Sequence, residues 1–197
     1  MKEIDDLNLK IQSCEDCDLS KFGVNQRTEN TDRGKVMGYG DGAKVVFVAM
    51  NPSWFRHGFY CFRENDFGGN KLLHDALDAI NWSRDDVYVT NLVKCSTFKN
   101  EPLEEHHIAM CNKYVMKEIS LWKPKLIVPL GKQPANFFGG HIYRKCLWHG
   151  YTIFPMYHPS FCSRESEFRL QFIEEFKRIP KFIDEIVSQR KINEYSK

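Results

Sequence analysis

Three absences narrow the class of this protein. The 197-residue sequence has no run of about 18 or more apolar residues, so it predicts no transmembrane helix. Its first residues, MKEIDDLNLK, lack the apolar stretch of a secretory signal peptide. The formal net charge is only +2, which excludes a strongly basic nucleic-acid coat but not a local basic groove. We expect a cytoplasmic monomer with no membrane partner.

Seven cysteines stand in a chain expected to occupy a reducing compartment, which favours metal ligands or buried thiols over disulfides. Cys14 and Cys17 form a CxxC pair, and Cys95 and Cys111 follow much later. A zinc site usually shows a second tight pair or nearby histidines, whereas scattered thiolates suit an iron–sulfur cluster. Zinc stays an alternative, as does the possibility that the later two are buried thiols. We interpret the others as structural: Cys61, Cys146 and Cys162.

The apolar pattern predicts an α/β fold. Four short β-rich runs, 44–50, 87–93, 125–130 and 151–157, alternate with helical patterns at 72–80, 102–122, 131–138 and 164–189. This alternation predicts a three-layer α/β/α sandwich around a four-stranded parallel sheet. We expect a single domain over 1–197, with the CxxC pair in an N-terminal segment, 1–42, and a C-terminal helical region, 164–197. Pro180 should kink or split that last helix.

In such a sheet, ligands bind beyond the carboxyl ends of the strands. Three segments lie there: AMNPSW at 49–54, TNLVKC at 90–95 and YHPSF at 157–161. With the four cysteines they resemble the uracil-DNA glycosylase superfamily, above all its iron–sulfur branch, family four. The order and spacing match from 14 to about 164. The first motif has Asn51-Pro52, where that branch has a glutamate followed by Ala-Pro-Gly, and is more like mismatch-specific or single-strand-selective uracil glycosylases.

The resemblance implies that uracil is flipped out of DNA and its N-glycosidic bond hydrolysed, leaving an abasic site. It also implies a 4Fe-4S cluster on the four cysteines. His158 would donate a hydrogen bond to uracil O2, Asn91 would read the base edge, and Asn51 would position the attacking water. The ordinary structural alternatives are a histidine satisfied by local contacts and asparagines that cap turns.

Other residues would contact the DNA. The resemblance implies an aromatic that stacks on the flipped base; Phe67 is the candidate, and Phe55, Phe59, Tyr60 and Phe62 compete for that role. Candidates for binding phosphates are Ser53, Ser96 and Ser160, with a solvated surface position as the ordinary alternative. Candidates to add positive charge near the phosphates are Lys94, Lys132 and Arg164. Phe161 would fill the space left by the extruded base, with an ordinary core or surface aromatic as the alternative. Gly68 and Gly69 would permit close backbone approach to the phosphate or base.

Three other functions remain open. The Asn-Pro motif allows a wider range of deaminated bases, including hypoxanthine. A non-catalytic DNA-binding protein with the same fold would bind DNA but release no base. A zinc-stabilised α/β module with an unrelated role is the third.

Overall fold

The computed structural model describes residues 2–20, 38–40, 44–53 and 68–195. Within these ranges the helices are α1 (Lys2–Gln12), α2 (Gly68–Asp78), α3 (Glu105–Trp122), α4 (Lys132–Phe137), α5 (Pro159–Cys162), α6 (Ser166–Phe176) and α7 (Ile179–Tyr195). The strands are β1 (Val45–Ala49), β2 (Val87–Asn91), β3 (Leu126–Pro129), β4 (Cys146–Trp148) and β5 (Tyr151–Ile153). None of the helices in these ranges combines the length and apolar character needed to cross a bilayer.

The strands form one mostly parallel sheet in the order β2-β1-β3-β5-β4. β1, β2 and β3 are buried at every residue, as the near-continuous apolar runs predict. β3 and β5 are parallel, with Leu126 opposite Thr152 and Ile127 opposite Ile153. The predicted mixed α/β class is therefore confirmed.

The predicted count of four strands is wrong, because β4 and β5 form an antiparallel hairpin at the edge of the sheet. His149 and Gly150 both have positive φ, 45° and 82°, as a tight two-residue hairpin turn requires. β4 has only three residues, and its central Leu147 is 78% exposed. Such a strand shows no apolar run, so its sequence pattern is too weak to predict it.

Contacts within the chain divide it into two compact units, and the first comprises Met1–Tyr39, Val48–Arg63 and Val89–Lys123. Its core is a cluster to which α1, the segment after β2 and α3 all contribute. The α1 helix, which the sequence analysis did not predict, buries Leu7 and Ile11 there. The other buried residues of this cluster are Leu19, Val93, Leu103, Cys111 and Tyr114.

The second unit comprises Gly40–Phe47, Glu64–Tyr88 and Pro124–Lys197. Aromatic rings form much of its core. Phe47 and Phe176 stack with centroids 5.5 Å apart, and Phe154 and Phe182 meet edge to face at 4.9 Å. Each such pair adds to the stabilisation from apolar burial.

Two helix boundaries follow local chemistry. The predicted split near Pro180 is confirmed, because α6 ends at Phe176 and Pro180 is the second residue of α7, where its missing N–H costs nothing. The α3 helix begins at Glu105, whereas the sequence predicted a start near Pro102 with Asn100 as N-cap. Glu104 is the N-cap instead, since its backbone N–H donates to His107 Nδ1 at 3.1 Å.

Candidate functional site

Four thiols line one pocket in the first unit. Cys14 and Cys17 follow α1, Cys95 follows β2, and Cys111 lies on the buried face of α3. None of these four cysteines forms a disulfide, and with Tyr114 they line a cavity of about 330 Å³, counting space open to solvent. The four predicted ligands thus surround one cavity, and their binding of a metal stays a prediction.

The chemistry of this donor set fits a metal centre that prefers sulfur. No histidine occurs among the described residues that line the cavity. Burial raises the pKa of the Cys111 thiol, and the nearby Cys14 and Cys17 act in the same direction. A cation bound in the cavity would oppose both effects and favour the thiolates. Four thiolates match a 4Fe-4S cluster, and they also match structural zinc.

Tyr114 adds a polar group to this cavity. Burial raises the pKa of the Tyr114 hydroxyl, and its hydrogen bond to the Cys14 sulfur acts in the same direction. The hydroxyl therefore stays protonated at neutral pH and can donate to a thiolate at Cys14.

Two side-chain contacts, one ion pair and one hydrogen bond, connect the CxxC loop to α3. Asp16 forms an ion pair with Lys113, and Asp18 Oδ1 lies 3.1 Å from His107 Nε2. Since Lys113 and His107 both lie on α3, these contacts flank Cys17 and hold its loop beside the helix that carries Cys111.

Asp18, His106 and His107 bring three metal-binding atoms within 4.8 Å of one another, but hydrogen bonding argues against a cation there. The Glu104 N–H donates to His107 Nδ1, so the proton of a neutral His107 ring is on Nε2. That Nε2–H donates to Asp18, and metal binding would require its removal and the loss of the helix cap. Although slight burial opposes it, hydrogen bonds from both histidines lower the pKa of Asp18.

The two predicted asparagines lie at the ends of neighbouring strands and belong to the first unit: Asn51 follows β1, and Asn91 is the last residue of β2. Leu92 N–H donates to the Ala49 carbonyl at 2.8 Å, and Val93 N–H donates to the Met50 carbonyl at 2.9 Å. These bonds continue the strand pairing past Asn91, which is 3% exposed. Asn51 is half-buried, and its amide donates to the Pro52 carbonyl at 3.3 Å.

Ser53, two residues after Asn51, is exposed, and its carbonyl accepts a hydrogen bond from Ser96 Oγ at 3.3 Å. The exposed hydroxyl of Ser53 is compatible with the predicted phosphate contact.

Lys94 is not a surface cation, and its predicted role beside a phosphate is wrong. The residue is 1% exposed, and its Nζ lies 2.7 Å from Glu118 Oε2 on α3. Burying a lysine is costly unless its charge is paired, and Glu118 provides that pair. The sequence contains one signal of this: Glu118 follows Cys111 by seven residues and so shares its buried face, where a carboxylate needs a partner.

His158 lies in the second unit as the N-cap of α5, immediately before Pro159. Its Nδ1 accepts a hydrogen bond from the Ser160 N–H at 3.1 Å. Burial lowers the pKa of His158 to about 4, so the ring is neutral at pH 7 and carries its proton on Nε2. The side chain is therefore a neutral hydrogen-bond donor.

Gly69, at the start of α2, packs closely against Ser160. A Cβ on Gly69 would lie 2.4 Å from Ser160 Oγ, so this position has no room for a side chain. Ser160 and Phe161 are exposed, and the Phe161 ring is 5.4 Å from Tyr157. The predicted stacking residue Phe67 lies outside the described residues.

Comparison with protein families agrees with these motifs. The model of the Uracil DNA glycosylase superfamily matches residues 37–179. The chain belongs to this superfamily.

Several proteins similar to this chain carry the name Type-4 uracil-DNA glycosylase. The Archaeoglobus fulgidus protein is 27% identical over 202 residues, covering 91% of this chain and 92% of its own. The Saccharolobus solfataricus protein is 27% identical over 203 residues, covering 91% and 86%. The Thermotoga maritima protein is 28% identical over 158 residues, covering 71% and 78%.

The superfamily match includes both asparagines, His158, Cys95 and Cys111, whereas the CxxC pair precedes it. Asn51 and Asn91 belong to the first unit and His158 to the second. Their convergence in one active site of this superfamily member remains a prediction from the sequence.

Proposed function

We propose that this protein is a DNA-repair enzyme that removes uracil from DNA and leaves an abasic site. It would be a monofunctional uracil-DNA glycosylase that hydrolyses the N-glycosidic bond. Membership of the superfamily and the names of its Type-4 relatives support this activity. The target nucleotide must leave the duplex stack, because its sugar–base bond is not accessible there.

The state of His158 is the observation that carries the proposal. Cleavage of the glycosidic bond leaves negative charge on the departing uracil. A neutral imidazole with its proton on Nε2 can donate to uracil O2 as that charge develops. Because the bond from Ser160 N–H already orients the ring, little reorganisation is needed during the reaction.

Asn91 is proposed to select the base. Its side-chain carbonyl accepts from uracil N3–H, and its amide donates to uracil O4. Cytosine presents the opposite pattern of donors and acceptors at these positions. Since Asn91 is 3% exposed, a mismatched pattern would leave buried polar groups unpaired, which is costly.

Asn51 is proposed to position the attacking water through its side-chain carbonyl. Its amide nitrogen donates to the Pro52 carbonyl, which limits rotation of the side chain, and Oδ1 is the atom that would accept from the water. An amide is a much weaker base than a carboxylate, so modest turnover is expected. Phe67 would stack on the base, and Ser53 and Ser160 would contact phosphates.

We further propose that Cys14, Cys17, Cys95 and Cys111 hold a 4Fe-4S cluster, with zinc as the alternative. When bound, the cluster would supply a structural cross-link rather than a reacting group. The cysteines would join the N-terminal segment, the loop after β2 and α3. Because Cys95 follows Asn91 by four residues, this cross-link would limit the movement of the base-reading segment.

Further proposals concern the whole chain. The single domain over 1–197, the three-layer α/β/α arrangement, the monomeric state and the cytoplasmic location remain expectations from the sequence. Sedimentation of the purified protein tests the monomeric state directly.

The primary experiment uses protein purified without oxygen and DNA carrying one uracil. Alkali after incubation cleaves any abasic site, and an identical strand with thymine is the control. Strand cleavage that requires uracil, together with broad visible absorption and stoichiometric iron, supports the proposal. Iron-containing protein that leaves uracil intact contradicts the activity, and colourless protein with stoichiometric zinc contradicts the cluster.

The Asn51-Pro52 motif favours one second candidate, a wider range of deaminated bases. A strand carrying hypoxanthine separates the two in the same assay. Release of hypoxanthine at a rate comparable to uracil would support the broader specificity. A protein that binds uracil-containing DNA, releases neither base and is unaffected by Asn51→Ala would instead be a non-catalytic binder.

A further inference from the structure

Lys94 makes hydrogen bonds through both its backbone N–H and its side-chain ammonium, and the two groups bind different residues of the first unit. Its backbone N–H donates to Cys111 Sγ at 3.3 Å. Its ammonium donates to the Asn91 carbonyl at 2.9 Å, to Thr90 Oγ1 at 2.6 Å and to Glu118 Oε2 at 2.7 Å. An ammonium has three donors, and these three acceptors use all of them.

The network is buried. The side chains of Lys94 and Glu118 are 2% and 0% exposed, and Thr90 Oγ1 also donates to Glu118 Oε2 at 2.8 Å. Removing two charges from water is expensive, and apolar side chains of similar volume are often as stable as a buried ion pair. A gain in net stability therefore does not explain why this pair is buried. The geometry of the pair suggests a role in positioning.

The geometry links the base-reading residue to α3. Glu118 and Cys111 are seven residues apart on one face of that helix, so Lys94 meets both. Through its ammonium, Lys94 also binds the backbone carbonyl of Asn91. A bond to a carbonyl fixes the peptide plane beside it, and hence the direction in which the Asn91 side chain leaves the chain.

We propose that Lys94 is a positioning residue: its buried ion pair with Glu118 holds Asn91 in the orientation that reads the base. This inference rests on the proposed function of Asn91. The two groups of Lys94 act separately, because the backbone N–H serves Cys111 whereas the ammonium serves Asn91. Replacing only the side chain should therefore release Asn91 without disturbing the cysteine cavity.

The test compares Lys94→Met with a triple variant, Thr90→Val/Lys94→Met/Glu118→Met. The single variant leaves Glu118 buried without its cation and should be unstable. The triple variant removes the polar groups of Thr90, Lys94 and Glu118 together, so neither charge is left without the other, and it should melt close to the wild type. Lys117→Met is the matched control, because Lys117 is an exposed lysine next to Glu118 in the sequence.

We expect the triple variant to keep its iron, because the Lys94 N–H to Cys111 remains. Its rate of uracil release at saturating enzyme should fall roughly 100-fold, the effect of a misplacement of about 1 Å. Its affinity for DNA without uracil should not change. Hydrogen–deuterium exchange at residues 92 and 93 should become faster in the triple variant and stay at the wild-type rate in Lys117→Met.

A well-folded triple variant with wild-type exchange at residues 92 and 93 would overturn the inference, as would one with wild-type uracil release. The two proposals fail separately. If the wild type releases no uracil, the proposed function is wrong, and the exchange measurement alone decides whether the Lys94 side chain holds the Asn91 segment.

Discussion

A methyl group on Gly69 would lie 2.5 Å from the backbone nitrogen of Ser160 and 2.7 Å from its Cα. The Ser160 hydroxyl can rotate away from such a group, but its backbone cannot. Ser160 belongs to α5, and its N–H is held by the N-cap His158. The contact between α2 and α5 therefore requires glycine at position 69.

Gly69→Ala should destabilise the protein by about 1–3 kcal/mol, the usual cost of forcing extra volume into a packed contact. It should also slow uracil release, because any shift of Ser160 moves the N–H that orients His158. Urea unfolding measures the first effect. Lys71→Ala, which removes an exposed ion pair from the same helix, should change stability by less than about 1 kcal/mol. Wild-type stability in Gly69→Ala would contradict the close contact.

Stability should depend on pH through His158. Burial lowers the pKa of His158 to about 4 in the folded protein, against a usual value near 6.5. Below about pH 6.5 the unfolded chain binds a proton that the folded chain does not, so this residue's contribution to stability is lost as the pH falls toward about 4. His158→Phe should therefore flatten the stability profile in this window, measured by urea unfolding.

Ser160→Ala is the control for this titration, because it retains the backbone N–H that His158 Nδ1 accepts. It should preserve the low pKa of His158. An NMR titration of the His158 ring with a midpoint near 6.5 would contradict the prediction.

Cys111→Ala should lose most of the bound iron, because it removes one of the four proposed thiolate ligands. Cys162→Ala is a closely matched control, since Cys162 is also buried but does not line the four-cysteine cavity. Iron per chain and visible absorption measure the difference. Equal iron content in the two variants would reject the proposed ligand set.

Asp18→Ala should loosen the CxxC loop. It leaves the Nε2–H of His107, a side chain that is 5% exposed, without its carboxylate, at a cost of about 1–3 kcal/mol. A chelator should then remove iron faster than from the wild type. Glu15→Ala, which removes an exposed acidic residue of the same loop, should leave the rate of iron loss unchanged.

The buried strands β1, β2 and β3 were predictable because strands covered on both faces need continuous apolar runs, and continuous runs are visible in a sequence. The family was predictable from short motifs at strand ends, since few folds place Asn51, Asn91 and His158 in that order with four cysteines. β4 was not predictable, because three residues at an exposed sheet edge have no apolar period.

By itself, the sequence determined the α/β class, the superfamily and the identity of the candidate residues, because these depend on residue type and spacing. Only the tertiary structure decided which residues Lys94 and Gly69 contact. From sequence alone a lysine is expected at the surface, because burying it requires a paired charge. The partner of Lys94 is Glu118, 24 residues away along the chain, and the sequence does not show that they meet. Likewise, Gly69 meets Ser160 only after α2 and α5 have packed together. Contacts between distant segments depend on the packed fold, and no local pattern encodes them.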